Sequence, residues 1–148
     1  MEGLIRHLNR IRRCLHIYRG QRLKGHEIGG CQCAYILIIC RNPGILQDQL
    51  SKEFYINKSN VARQLAALEK NNYIYRVSKE DDKRALQVFP TEQALLALPL
   101  VEKVTREWKE SVLEDLTQEQ RQMFFQILKQ IADKAVLLAE SDWENLCN

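Results

Sequence analysis

Between Asn42-Pro43-Gly44 and Thr91 the hydrophobic rhythm changes from helical to alternating, across polar punctuation that leaves little choice of architecture. Ile45 to Phe54 reads as a short helix. Asn57 then offers its side-chain oxygen as N-cap to a second helix, Lys58 to Lys70. Asn71-Asn72 closes that helix, and asparagine tolerates the left-handed backbone that a helix exit commonly needs. The pattern then becomes a hairpin: Tyr73 to Val77, a polar tip Ser78-Lys79-Glu80-Asp81-Asp82-Lys83, and Ala85 to Phe89 with Leu86 and Val88 alternating. Two short helices joined by a tight turn and followed by a hairpin describe a winged helix-turn-helix.

Longer helices flank this core. Leu4, Leu8, Ile11, Leu15 and Tyr18 recur at spacings of four, three, four and three with arginines between them, an amphipathic first helix with a nearly heptad seam. Gly20 and Gly25 lead to Cys31–Asn42, which is apolar all round. Its Tyr35-Ile36-Leu37-Ile38-Ile39 run admits a strand, but the segment's length and the Asn42-Pro43-Gly44 stop favour a buried helix. Thr91 opens a long helix to about Asp115, with Leu95, Val101, Val104, Trp108 and Val112 on its apolar side and a kink expected at Pro99. Thr117-Gln118-Glu119-Gln120 is a capping box for a last helix to about Glu140, striped by Phe124, Ile127, Leu128, Ile131, Ala135 and Leu138. The fold class is mainly α with a small sheet (α+β). It is read as one domain over 1–148, with a winged core at 31–90 and flanking helices at 1–25 and 92–145.

Composition narrows the function. At 148 residues a soluble chain can bury roughly 70% of its unfolded surface, so it needs no disulfide or metal staple. The longest apolar run, Ala34 to Cys40, is seven residues, against the ~20 that span a bilayer. Met1-Glu2-Gly3 and the arginine-rich stretch after it lack the apolar core and cleavage site of a signal peptide. The reading is a cytoplasmic protein with no membrane partner. Five scattered cysteines, Cys14, Cys31, Cys33, Cys40 and Cys147, fit a reducing compartment rather than a disulfide framework. Cys31-Gln32-Cys33 looks like a metal or redox motif, but on a helix residues two apart point roughly 200° from each other and cannot share a ligand. No metal and no cofactor are expected. Charge is uneven. Residues 1–40 carry seven basic and two acidic residues, 41–84 nine and six, and 92–148 six and eleven. A basic front and an acidic tail suit an anionic partner at one end.

The Lys58–Lys70 helix is built to present such a front. With Val61 at zero, Leu65 falls at about 40° and Leu68 at about −20°, one anchoring face. Ser59, Arg63, Ala66, Ala67 and Lys70 lie opposite, a basic face without an acid whose alanines permit close approach to a groove floor. Arg63 is long enough to read a guanine edge, and Ser59, Asn60 and Gln64 can bond bases or phosphates. Lys58 stands at the helix start, where the backbone itself favours a phosphate.

At these residues the sequence resembles the multiple antibiotic resistance regulator (MarR) family of bacterial and archaeal repressors. The resemblance runs through Asn42-Pro43-Gly44, Gln47-Asp48-Gln49-Leu50-Ser51 and Ile56-Asn57-Lys58-Ser59-Asn60-Val61-Ala62-Arg63. It continues at Leu65 and Leu68-Glu69-Lys70, then Asp82-Lys83-Arg84 with Val88, Thr91 and Glu92. Tyr55 departs from the family's usual turn glycine, Pro90 from leucine, Ala94 from glycine, and Leu46 from the Ser/Thr cap of its helix. The resemblance implies that Arg84 enters the minor groove, held by Asp82 and flanked by Lys83. A narrow groove does concentrate negative potential and attract arginine.

The resemblance also implies a homodimer joined by the first, fifth and sixth helices, which would place two readers on a pseudo-palindromic operator in double-stranded DNA. It implies a repressor released by a small aromatic or phenolic acid bound between the dimer helices and the DNA-binding lobe. His16, Arg19 and Tyr35 are the candidate liners, with His7 and Trp108 behind them. A second mode is thiol sensing of oxidants through Cys14, near the seam, or Cys31, near a helix start. A winged-helix protein-interaction module is the third reading. An enzyme is not expected. His7, His16 and His26 are not at ligand spacing on one face, and there is no phosphate loop or nucleophile–base pattern.

Overall fold

The computed structural model describes residues 2–147. The elements are α1 (Glu2–Arg22), α2 (Gln32–Arg41), β1 (Ile45–Leu46), α3 (Gln47–Phe54), α4 (Lys58–Lys70), β2 (Ile74–Ser78), β3 (Leu86–Pro90), α5 (Glu92–Val112) and α6 (Gln118–Cys147). The architecture is mainly helical with a small antiparallel sheet in the order β1-β3-β2, a winged helix-turn-helix core with helices before and after it. The chain divides into two compact units, Met1–Trp108 and Lys109–Asn148.

The first unit contains the winged core. Ile36, Ile39, Leu50, Val61, Leu65, Leu68, Val88 and Val101 are wholly buried together, so α2, α3, α4, β3 and α5 share one apolar centre. The segment is helical over Gln32–Arg41, as its length indicates, and Tyr35, Ile36 and Ile39 turn inward. The α1–α2 loop lies so close to α1 that a Cβ on Gly30 would sit 2.2 Å from the carbonyl oxygen of His16. Only glycine fits there.

Several details differ from the sequence reading. Ile45 and Leu46 are not the first turn of α3 but a two-residue strand facing Val88 and Gln87. Helical rhythm cannot reveal this, because partners far along the chain make the strand. The hairpin strands each begin one residue later than expected, and Pro90 belongs to β3 opposite Ile74. Thr91 N–H donates to Tyr73 O at 3.0 Å, so the neighbouring Ile74–Pro90 pair is a non-hydrogen-bonded one. The donor that proline lacks would face the side where β1 has already ended, and the ladder loses nothing. On α5 the buried residues are Ala94, Ala97, Val101 and Val104, while Leu95 and Val112 are half exposed. Counting back from Val101 in helical steps reaches Ala97 and Ala94. Leu95, one residue on, is turned about 100° off that face.

Local chemistry fixes the turns. Asn57 caps α4 through its side-chain oxygen, which accepts from Asn60 N–H at 2.8 Å. Tyr55, standing where the resembled family usually has a turn glycine, takes the left-handed conformation with φ 50°. Beside it the buried Ser51 hydroxyl donates to Ile56 O at 2.6 Å and closes the turn. Leu46 has no oxygen to cap α3, yet Gln49 still accepts from its N–H at 2.9 Å. Asn72 exits α4 at φ 60°.

In the second unit, Thr117 and Gln120 form the reciprocal capping box, with bonds of 2.9 and 3.2 Å. Arg121 ties α6 back to Glu110 at 3.1 Å and to Leu116 O. α6 continues past Glu140 to Cys147 with no glycine or proline to stop it. The side chain of Cys147 lies outside the described residues.

Candidate nucleic-acid interface

Helix α4 presents two contrasting faces. Val61, Leu65 and Leu68 are wholly buried, whereas Ser59, Arg63, Ala66 and Lys70 are exposed and Asn60, Gln64 and Ala67 half-buried. The helix is therefore anchored on the side its apolar spacing specifies and offers the basic side outward. Its amino-terminal turn is ordered by Asn57, which also accepts from the Ser59 hydroxyl at 3.1 Å. Lys58 pairs with Asp48 of α3 at 3.1 Å, but both side chains are about half exposed. Such a pair is worth little and yields readily to a phosphate. Among the described residues no carboxylate pairs with Arg63, Lys70, Lys83 or Arg84.

The wing tip differs from the expected pairing in one respect. Asp82 does not hold the Arg84 guanidinium; its Oδ1 accepts from the Arg84 backbone N–H at 2.9 Å. Two residues apart in a tight turn, an aspartate carboxylate meets the main chain more easily than a long side chain. Asp82 N–H donates to Lys79 O at 3.3 Å and Ala85 N–H to Asp82 O at 2.9 Å, so the tip is a closed turn. Asp82 thus shapes the backbone and leaves the exposed Arg84 side chain uncommitted.

The candidate ligand residues fall into two places. Arg19 of α1 is 8% exposed, its Nη2 donates to Thr105 Oγ1 of α5 at 3.2 Å, and its Nε has no partner among the described residues. Burial lowers its affinity for a proton. His16 shares this corner: burial, then Arg12, then Arg19, push its pKa below the ordinary histidine value. Tyr35 points elsewhere, its ring 4.6 Å from that of Phe54 and its buried hydroxyl without a partner among the described residues. A cavity of about 890 Å³ beside His26, Tyr73, Glu92 and Leu96 includes none of the three. Of the thiols, Cys14 and Cys31 are exposed and Cys33 is buried. Cys31 donates to Gln64 Oε1 of α4 at 3.6 Å. Among the described residues no group of three His, Cys, Asp or Glu side chains could hold a metal ion. No described helix is long and apolar enough to cross a membrane.

Sequence reasoning missed Arg76. On β2, its Nη2 and Nε reach Glu69 Oε2 at 2.7 and 3.2 Å, its Nη1 reaches Gln47 Oε1 at 3.3 Å, and its backbone N–H reaches Glu69 Oε1 at 3.1 Å. This bonding holds the Glu69 carboxyl below the usual glutamate range. The only sequence signal was an acid and an arginine on opposite sides of the Asn71-Asn72 exit.

Comparison with known proteins places this geometry. The family model described as "MarR family" matches residues 32–86, the winged core. An uncharacterized HTH-type transcriptional regulator of Bacillus subtilis (strain 168), YybA, is 26% identical over 144 residues, covering 97% of this chain and 93% of that protein. A crystal structure of MarR superposes with a TM-score of 0.83 at 29% identity, covering 93% of this chain and 94% of the other. A MarR regulator from Methanosarcina mazei Go1 gives 0.87 at 26% identity, covering 93% and 99%. A putative MarR family regulator from Listeria monocytogenes, solved with a 26mer DNA, gives 0.85 at 25% identity, covering 97% and 93%. Residues 32–86 thus match a MarR-family domain, and along nearly its whole length the chain has the winged helix-turn-helix fold of these MarR-family regulators.

Proposed function

We propose that the chain is a sequence-specific DNA-binding repressor that acts as a homodimer in the cytoplasm and is released from its operator by a small aromatic acid. The observation that carries DNA binding is the exposed, acid-free face of α4 on its buried anchor, with no carboxylate among the described residues pairing with Arg63 or Arg84. The segment 31–90 serves as the reading lobe, with Lys58, Ser59, Asn60, Arg63, Gln64 and Lys70 facing the major groove and Asp82, Lys83 and Arg84 forming the minor-groove tip. The DNA in the Listeria relative's structure supports this reading. The test is selection of bound fragments from random genomic DNA, then binding isotherms at several salt concentrations. Affinity should fall steeply with salt, and the selected site should be a pseudo-palindrome. Salt-insensitive binding, or no enrichment, overturns the reading and favours a protein-interaction module.

Exposed apolar side chains support the homodimer. Leu4, Ile5, Leu8, Ile11 and Ile17 on α1 and Phe124, Ile127, Ile131 and Leu138 on α6 are each 39% exposed or more. Stripes of this kind mark association surfaces. A dimer through the helices at 1–25 and 92–145 would set two reading helices at half-site spacing.

The release step rests on Arg19. A buried guanidinium with an unpartnered Nε and, among the described residues, no carboxylate is poised for an anion. Hydroxybenzoate-type acids should raise the melting temperature and reduce operator affinity, and Arg19→Gln should abolish both responses. If Arg19→Gln responds as the wild type does, the anion site lies elsewhere.

A further inference from the structure

Reading DNA with α4 and the wing together requires two elements held at one spacing, and a single side chain spans the joint between them. Arg76 stands in the middle of β2, opposite Val88 of β3. Glu69 lies in the last turn of α4, and Gln47 is the first residue of α3. One Glu69 oxygen accepts the Arg76 backbone N–H and the other accepts its guanidinium, so strand and side chain are gripped by the same carboxylate. Gln47 takes the remaining terminal nitrogen.

We propose that Arg76 is a positioning residue: through Glu69 and Gln47 it clamps the stem of the wing to the end of α4 and so sets the distance at which Arg63 and Arg84 meet one duplex. The inference rests on the DNA-binding reading above. A direct phosphate contact is the rival role, but all three guanidinium nitrogens are engaged and the side chain is only 21% exposed. Stability alone is the other rival. The Glu69 side chain is 38% exposed, and solvent screening on that side limits what the pair adds to folding. Its geometry, a fork closed on one carboxylate oxygen and an amide, gives direction rather than energy. The clamp has an electrostatic side too. Glu69 lies about 80° round the helix from Val61, on the flank of the basic face, where a bare carboxylate would repel phosphates. Turned to Arg76, it is neutralised.

Charge and position predict opposite signs for one variant. Glu69→Gln removes a negative charge from the reading helix, which by electrostatics alone tightens DNA binding. The clamp predicts roughly tenfold weaker operator binding, an unchanged salt slope and a melting temperature within a few degrees of wild type. Arg76→Lys keeps the charge but loses the fork, and should weaken operator binding similarly. In both variants the amide order parameters of Lys79 to Ala85, measured by 15N relaxation without DNA, should fall, because the tip hangs from an unclamped stem. Equal or tighter binding by Glu69→Gln, or a tip as ordered as in the wild type, overturns the clamp. A wild-type chain that binds no DNA overturns the proposed function instead, and the relaxation data still decide whether the clamp exists.

Discussion

Arg84→Ala is expected to weaken binding to operator and to random DNA by similar factors. The minor groove offers a degenerate chemical pattern, and what an inserted arginine senses there is mostly width and potential. The salt slope should fall by about one per half-site, because one phosphate-facing charge is withdrawn from each. Arg63→Ala should behave differently. It projects from the exposed face of α4 where a base edge would lie, and its loss should cost about 1–3 kcal/mol on the operator and much less on random DNA. Asp82 gives an internal control. Its carboxylate holds the Arg84 backbone N–H, and an asparagine oxygen can accept the same bond. Asp82→Asn should therefore bind nearly as wild type, whereas Asp82→Ala should follow Arg84→Ala in direction and fall short of it in size. The Asp82→Ala, Arg84→Ala double variant should lose less than the sum, since both act through one contact. The measurement is an isotherm for each variant on both DNAs at several salt concentrations. If Arg84→Ala binds both DNAs as the wild type does, the wing does not read DNA.

Charging the α6 stripe should have a larger effect. Ile127 and Ile131 are 47% and 42% exposed and lie one helical turn apart. The Ile127→Glu, Ile131→Glu double variant places two carboxylates where an apolar partner surface is proposed, at a penalty no dimer of ordinary stability absorbs. Light scattering should give the 17.4 kDa of one chain instead of twice that mass. Operator affinity should drop by at least a hundredfold, about 3 kcal/mol, because only one half-site is engaged. The second unit should keep its helical circular dichroism, since these side chains point to solvent. A variant that remains dimeric at micromolar concentration places the subunit contact on another surface.

How far the sequence discloses this molecule depends on the distance over which each feature is determined. The helix α4 was legible to the residue, because its cap Asn57, its anchors Val61, Leu65 and Leu68, and its exit at Asn71-Asn72 all lie within one short stretch. The capping box at Thr117 was legible for the same reason. Strand β1 was not, because Ile45 and Leu46 are extended by partners in β3 forty residues away. The inner face of α5 was legible at Val101 and Val104 and missed at Ala94 and Ala97, whose small side chains admit close packing, while the bulkier Leu95 drew attention to a face that is open. The family resemblance brought Asp82 and Arg84 together correctly but named the wrong atoms. The Arg76 clasp needed the strand register, and the burial of Arg19 needed the packing of α1 on α5.

Mechanically, the wing is a cantilever. Strand β3 is gripped from both sides only at Gln87 and Val88, where β1 and β2 both pair with it, and the beam beyond carries its load, Lys83 and Arg84, at the free end. The deflection of such a beam rises steeply with its unsupported length and hardly depends on what decorates the tip. The length from Gln87 to the turn, more than the identity of the tip residues, therefore sets how wide a range of groove positions the arginine can follow. Inserting a residue pair there would trade sharpness of fit for reach.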